Sequence, residues 1–342
     1  MFDRRKFVKN ATVLGMGSPI FLDGLFASPG KARIMTVNGP ILPADMQFTL
    51  THEHILVDFI GADKITGDRY KADEVFSTAL PYLLEAKQKG CATFIDCTPA
   101  WLGRDATLLK RLADATGLHI ITNTGYYGAA KEKYLPKHVY TESAEQLAER
   151  WIAEWSDGIE GTGIKPGFIK TGVDEAPLTT MQRKVIEAAA ITHLATGLTI
   201  GIHTGDGKAN KEQLEILQAH GVSPAARIWV HAQNEKDKSF HVAAAKIKSW
   251  VSFDGVNEAS VNETIDYLRH MKSYNLLNRV LVSQDSGWFN VGEPGGGKFN
   301  HYNSIHDLLI PALKKHGFTN KEVETIFIKN PAKAFAVGVR FL

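Results

Sequence analysis

The sequence predicts an α/β chain of the (β/α)8 TIM barrel class, a single domain with a short N-terminal hairpin. Three observations predict it. Strands of about five apolar residues alternate with amphipathic helices some eight times over roughly 290 residues, the pattern of parallel strands joined by crossover helices. No Gly-rich fingerprint follows the first long strand, which disfavours an open doubly wound sheet. Finally, the count of such units is eight, the number that closes this barrel.

Taken in order, Arg33 to Pro43, with Asn38-Gly39-Pro40 at its centre, reads as the hairpin. The first long strand is Phe48 to His54, followed by a helix over Asp73 to Lys89 and the strand Thr93 to Cys97. The helix Arg104 to Thr116 leads to the strand Ile120 to Thr124, and the helix Glu142 to Ser156 to the strand Gly167 to Lys170. Then come the helix Thr179 to Thr196, the strand Thr199 to His203, the helix Lys211 to His220 and the strand Arg227 to His231. The helix Ser239 to Lys248 precedes the strand Trp250 to Phe253, and the helix Ala259 to Tyr274 precedes the strand Val280 to Gln284. Two helices, Ile305 to Lys315 and Lys321 to Ile328, and a short one after Asn330 close the chain. No linker, repeat or low-complexity stretch divides residues 31–342 into further domains.

With 39 basic and 37 acidic residues and a net charge of +2, the chain presents no strong field to nucleic acid or to an anionic membrane. Cys91 and Cys97 flank an apolar run. Six residues of strand separate them by about 20 Å, too far for a disulfide, so both read as small buried apolar residues. Residues 1–30 resemble a bacterial twin-arginine signal peptide. Arg4-Arg5 precede Phe7, and the apolar stretch Ala11 to Phe26 is interrupted by Gly15, Gly17, Pro19 and Asp23. That stretch is too short and broken for a membrane span. The expectation is export to the periplasm, with no membrane anchor in the mature chain.

His52 and His54 lie two apart in the first strand, so they share one face and Glu53 takes the other. Alone, an H-x-H pair is a weak metal signal. The strand ends strengthen it: Lys170 closes strand four, His203 strand five and His231 strand six, and Asp285 follows strand eight. Four imidazoles and a carboxylate suit zinc and similar divalent ions. An ammonium has no lone pair to offer a cation, so Lys170 is either paired with Asp174 or Glu175 or carboxylated on its amine to a carbamate, which has two donor oxygens.

At this point the sequence resembles the phosphotriesterase-like family of the amidohydrolase superfamily. The resemblance is carried by Phe48-Thr49-Leu50-Thr51-His52-Glu53-His54, Phe168-Ile169-Lys170-Thr171-Gly172, Ile202-His203-Thr204 and Val282-Ser283-Gln284-Asp285. The tail segments Ile310-Pro311-Ala312-Leu313-Lys314 and Asn330-Pro331-Ala332 add to it, so that it covers about Val37 to Phe335. It implies two divalent metal ions, zinc foremost. His52, His54 and Asp285 would hold the more buried ion and His203 and His231 the more exposed one. Lys170, N6-carboxylated, and a hydroxide would bridge them. The hydroxide would attack a small-molecule ester, foremost a lactone or carboxylic ester, and Asp285 would take the proton. Phosphotriester hydrolysis is the alternative within the family; a silent periplasmic binding protein is the alternative outside it. The resemblance also points to a homodimer.

The match departs in places. Gly255 stands where lactonases of the family carry an Arg, which alters the leaving-group pocket. Asp254 is expected to anchor substrate or support the ligands, with a capping or loop role as the alternative. Tyr127 is expected to line the substrate pocket, against simple packing. The other nine histidines, His119, His138, His193, His220, His241, His270, His301, His306 and His316, read as structural or solvated. The run Gly292 to Lys298 imitates a phosphate loop, but Phe299 replaces its Ser or Thr. There is no G-x-S-x-G elbow for serine chemistry.

Overall fold

The structure, a computed structural model, describes residues 32–342, so the expected signal peptide over 1–30 lies outside the described residues. The hairpin forms from β1 (Ile34–Thr36) and β2 (Gly39–Ile41). The barrel strands are β3 (Thr49–Val57), β4 (Thr93–Asp96), the pair β5 (His119–Ile121) and β6 (Asn123–Thr124), β7 (Phe168–Gly172), β8 (Thr199–His203), β9 (Arg227–Val230), β10 (Trp250–Phe253) and β11 (Val280–Val282). Every pairing from β3 round to β11 is parallel. The crossover helices are α1 (Ala72–Gln88), α2 (Ala106–Thr116), α3 (Ala144–Asp157), α4 (Thr180–Thr196), α5 (Gly207–Ala219), α6 (Lys238–Lys246) and α7 (Val261–Ser273). The architecture is the expected α/β TIM barrel. Among the described residues no helix is long and apolar enough to cross a membrane.

Local chemistry sets the helix starts. Asp105 accepts from Leu108 N and starts α2, so Arg104 is left outside the helix. Its buried guanidinium instead takes the carboxylates of Glu154 and Glu160. Ser143 and Gln146 form a capping box at α3, and Thr179 and Gln182 one at α4. Asp206 caps α5 a turn earlier than the apolar periodicity marks. Strand residues are buried almost throughout, polar ones such as Thr49, Thr93 and Asn123 included, because each strand is covered by helices outside and by barrel side chains inside.

Three differences from the sequence reading bear on the site. The third barrel strand is broken at Thr122: β5 pairs only with β4, and β6 only with β7. The eighth strand ends at Val282 rather than Gln284, because the chain turns there with Asp285 at φ +52. An extra strand, β12 (Gly287–Asn290), then lies parallel to the C-terminal half of β3 and extends it to Val57. His52 and His54 are therefore inside a nine-residue strand rather than at its end. Gly287 permits this approach. Its φ is +99, and a Cβ there would stand 1.9 Å from the His54 carbonyl oxygen.

Two of the nine remaining histidines are structural in a definable way. His193 Nδ1 donates to Leu198 O at 2.7 Å while its Nε2 accepts from Arg340 N at 3.0 Å, an arrangement open only to a neutral ring. His241 donates from Nε2 to Ala232 O at 2.7 Å. Burial lowers both, like His52, from 6.5 to about 4. A ring whose folded pKa is depressed stabilises the fold fully above the unfolded value, and that contribution is lost as pH falls toward the folded one. Burial raises Asp96 to about 6 and acts in the opposite sense across this window, so the histidine part is read as a difference. By urea denaturation of the metal-free protein, the stability of wild type over His193→Gln should be flat above pH 6.5 and shrink toward pH 4. A difference that does not change across that window contradicts the assignment.

Candidate metal centre

The site is built on the seam where the barrel closes. Asp285 N donates to His52 O at 3.0 Å, and His54 N donates to Ser286 O at 2.9 Å, joining the end of the last barrel strand to the first. Glu53, on the opposite face of β3 from the two histidines, is fully buried beside this joint. Its Oε1 accepts from Ser283 Oγ at 2.6 Å and from Gln284 N at 3.3 Å, and its Oε2 accepts from Ser286 N at 2.9 Å. The middle residue of the H-x-H triplet thus clamps the turn that carries Asp285.

Inside the barrel, His54 Nε2 stands 3.1 Å and His52 Nε2 3.6 Å from Asp285 Oδ1. That oxygen is buried and satisfies no hydrogen bond in spite of two nitrogens at contact distance. Ligands about 2.0–2.2 Å from one cation stand roughly 3–4 Å from each other, so the spacing is that of a ligand set. The far ring nitrogens are held from behind. His54 Nδ1 lies 2.7 Å from Thr98 Oγ1, His52 Nδ1 lies 3.1 Å from Asp254 Oδ2, and His231 Nδ1 lies 2.6 Å from Asp254 Oδ1. Both His52 and His231 therefore present Nε2 to the interior. The rings of His231 and His203 meet at 4.4 Å, and those of His52 and His231 at 4.9 Å.

Asp254 could itself group with His52 and His231 as a third ligand. Its oxygens are already taken. Oδ2 accepts from Ser252 Oγ and His231 N as well as facing His52, and Oδ1 accepts from Gln233 Nε2 as well as facing His231. Asp254 has no exposed surface and no place in the cavity wall, and its oxygens face two imidazoles. This favours the supporting role over the substrate-anchoring one.

The electrostatics suit cation binding. Burial is the largest influence on Asp254 and Asp285 and pushes both up, but the surrounding histidines outweigh it and hold both well below the usual carboxylate range. Burial lowers His203 well below the ordinary imidazole value, with His231 and Lys170 adding to it. Neutral rings and ionised carboxylates are the forms that ligate metals. Burial also lowers the Lys170 amine. Lys170 is 2 % exposed, and neither Asp174 nor Glu175 pairs with it. Asp174 instead accepts from Ala130 N, Lys131 N and Gln182 Nε2. The Lys170 Nζ stands over the Tyr127 ring, 5.4 Å from its centroid.

All six predicted ligands line one cavity of about 200 Å³. Tyr127 also lines it, with its ring 5.0 Å from that of His203. Sequence reasoning missed Phe59, Tyr134 and Trp288, which complete an aromatic rim, and Cys97, which faces the cavity rather than the helix layer. The rim residues stand in loops whose folding over the mouth leaves no periodic signal. Cys97 had one available, since it follows strand two where the other strands carry their ligands. His52, His54 and Asp285, with His203, His231 and Lys170 beside them, fit a pair of divalent cations.

A barrel with such a ligand set at the C-terminal ends of its strands defines a metal-dependent hydrolase. The chain belongs to the phosphotriesterase family, whose model matches residues 32–335. It is 30% identical over 293 residues to the phosphotriesterase homology protein of Escherichia coli, covering 84% of this chain and 97% of that one. It is likewise 30% identical over 309 residues to the aryldialkylphosphatase of Saccharolobus solfataricus, covering 85% and 96%. A crystal structure of a mutant PTE-like lactonase from Deinococcus radiodurans superposes with a TM-score of 0.79 at 27% identity, covering 89% of this chain and all of that one.

The double role of Asp254 is testable with an isosteric change. Asp254→Asn should weaken metal binding about 10- to 100-fold by chelator competition. Wild-type affinity in that variant would contradict the orienting role.

Proposed function

We propose that this protein is an exported hydrolase of small carboxylic esters, lactones foremost, working through two divalent ions, zinc foremost. The observation that carries the reading is the convergence of His52, His54, Lys170, His203, His231 and Asp285 on a single cavity. His52, His54 and Asp285 would hold one ion, and His203 and His231 the other. Bound there, the ions lower the pKa of a shared water toward neutrality and polarise the substrate's carbonyl oxygen. Lys170 is buried, which lowers its amine from the usual lysine value; carboxylated to a carbamate, it would supply anionic oxygens to the ions. Asp285 receives the proton released in the attack and passes it to solvent at the mouth. The cavity supports a small substrate, since about 200 Å³ is below the ~300–1,000 Å³ of common ligand sites. Tyr127 forms part of its wall.

Phosphotriester hydrolysis is the second reading. It is favoured by the same cavity, which offers no guanidinium and suits an uncharged substrate, and by the likeness to an aryldialkylphosphatase.

A panel of lactones, aryl esters and phosphotriesters, run with metal analysis, separates these readings. The expected result is about two metals per chain and highest kcat/KM on a lactone or carboxylic ester. Fewer than one metal per chain with no turnover sinks the hydrolase reading and leaves a binding protein on the same scaffold. Lys170→Ala should lose metal and at least ~100-fold in kcat, with partial recovery on adding short carboxylic acids. Full metal content in that variant would reject the bridging role.

Export is tested separately. Arg4→Lys combined with Arg5→Lys should leave the unprocessed chain in the cytoplasm on cell fractionation. A periplasmic product from that double variant would falsify the twin-arginine reading.

A further inference from the structure

The turn that carries Asp285 has an unusual backbone. Within Asp285–Trp288, Asp285, Gly287 and Trp288 have φ of +52, +99 and +78. For Gly287 this is free of cost, but for a tryptophan it is a disfavoured conformation that persists only where neighbouring contacts impose it. Two sets of contacts do so. The indole N–H donates back to Asp285 O at 2.8 Å, closing the turn on itself. The ring packs 4.6 Å from the His54 imidazole and 5.6 Å from Phe59, over the mouth of the cavity. Glu53 grips the same turn from the other side through Ser283 Oγ, Gln284 N and Ser286 N, so the peptide of Asp285 is held between a carboxylate beneath and an indole above.

We propose that Trp288 is a positioning residue for Asp285, whose indole N–H fixes the Asp285 peptide so that its carboxylate faces His52 and His54. The hydrogen bond, rather than the ring alone, is the working part. A phenyl ring could still pack on His54 and Phe59, but it leaves the Asp285 carbonyl without its donor and the strained turn without its closure. Trp288 also lines the cavity, so it ties loop geometry to ligand geometry at one point.

The inference rests on Asp285 as a metal ligand but not on the substrate reading. The test is zinc affinity by competition with a chromogenic chelator, using the full chain as purified, stripped and titrated with Zn²⁺. Trp288→Phe, which keeps the ring and removes the donor, should bind zinc at least tenfold more weakly while retaining the wild-type circular dichroism and melting transition. Phe59→Leu, which removes the ring partner but no donor, should stay within twofold of wild type. Where turnover is measurable, Trp288→Phe should lower kcat with KM little changed. Zinc affinity in Trp288→Phe within twofold of wild type overturns the proposal, as does equal weakening in Phe59→Leu. A wild-type protein that binds zinc tightly yet hydrolyses none of the ester panel overturns the ester reading and leaves this one standing.

Discussion

The joint between the first and last barrel strands supports both the fold and the centre. A closed parallel sheet requires its final strand to find the first, and here the hydrogen bonds from Asp285 N to His52 O and from His54 N to Ser286 O make that closure. The residues that close the barrel are the residues that converge on the cation site. Glu53 sits beside this joint with its carboxylate spent on the turn, and burial pushes that carboxyl well up against the pull of Ser283 and the backbone donors. A buried carboxylate held in this way is costly unless every acceptor is satisfied, which gives the turn little freedom to move.

Behind the imidazoles a second layer of constraint appears. Asp254 couples His52, from the first strand, to His231, from the end of the sixth, so the two expected ion positions share one rigid support. His231 adopts φ +60, which aims its ring inward at the point where β9 ends. His54 depends on Thr98, which itself follows Asp96, whose carboxylate accepts from Ile55 N and Thr98 N. Ligand geometry is therefore set by backbone and supporting side chains before any cation arrives, the arrangement expected of a preorganised centre. One scaffold can host different chemistries, because its strands fix the ligands while its loops form the walls.

Much of this was legible in the chain. Alternating apolar strands and amphipathic helices announce the barrel, and the two-residue spacing of His52 and His54 places Glu53 on the opposite face. Strand-end positions gather Lys170, His203, His231 and Asp285 without any knowledge of three-dimensional contacts. These inferences succeed because they rest on local periodicity and on where a parallel barrel puts its strand ends. Cys91 and Cys97 were rightly kept apart as free thiols for the same reason. The boundaries were less legible: β12 and the break at Thr122 depend on partners distant in sequence, and α5 begins at a cap that hydrophobic spacing does not mark.

The sequence by itself determined the barrel and the order of its elements, because both follow from hydrophobic periodicity along one chain. Strand-end positions offered the histidines and Asp285, and it was the family resemblance that added Lys170 to them and made the six a ligand set. Only the tertiary structure decided what holds those ligands. That Asp254 is spent on two imidazoles, that Asp174 and Glu175 leave Lys170 unpaired, and that Trp288 reaches back to the Asp285 carbonyl are contacts between segments or within turns of irregular backbone. They are set by packing across the barrel mouth and by positive-φ geometry, neither of which leaves a periodic trace in the order of residues.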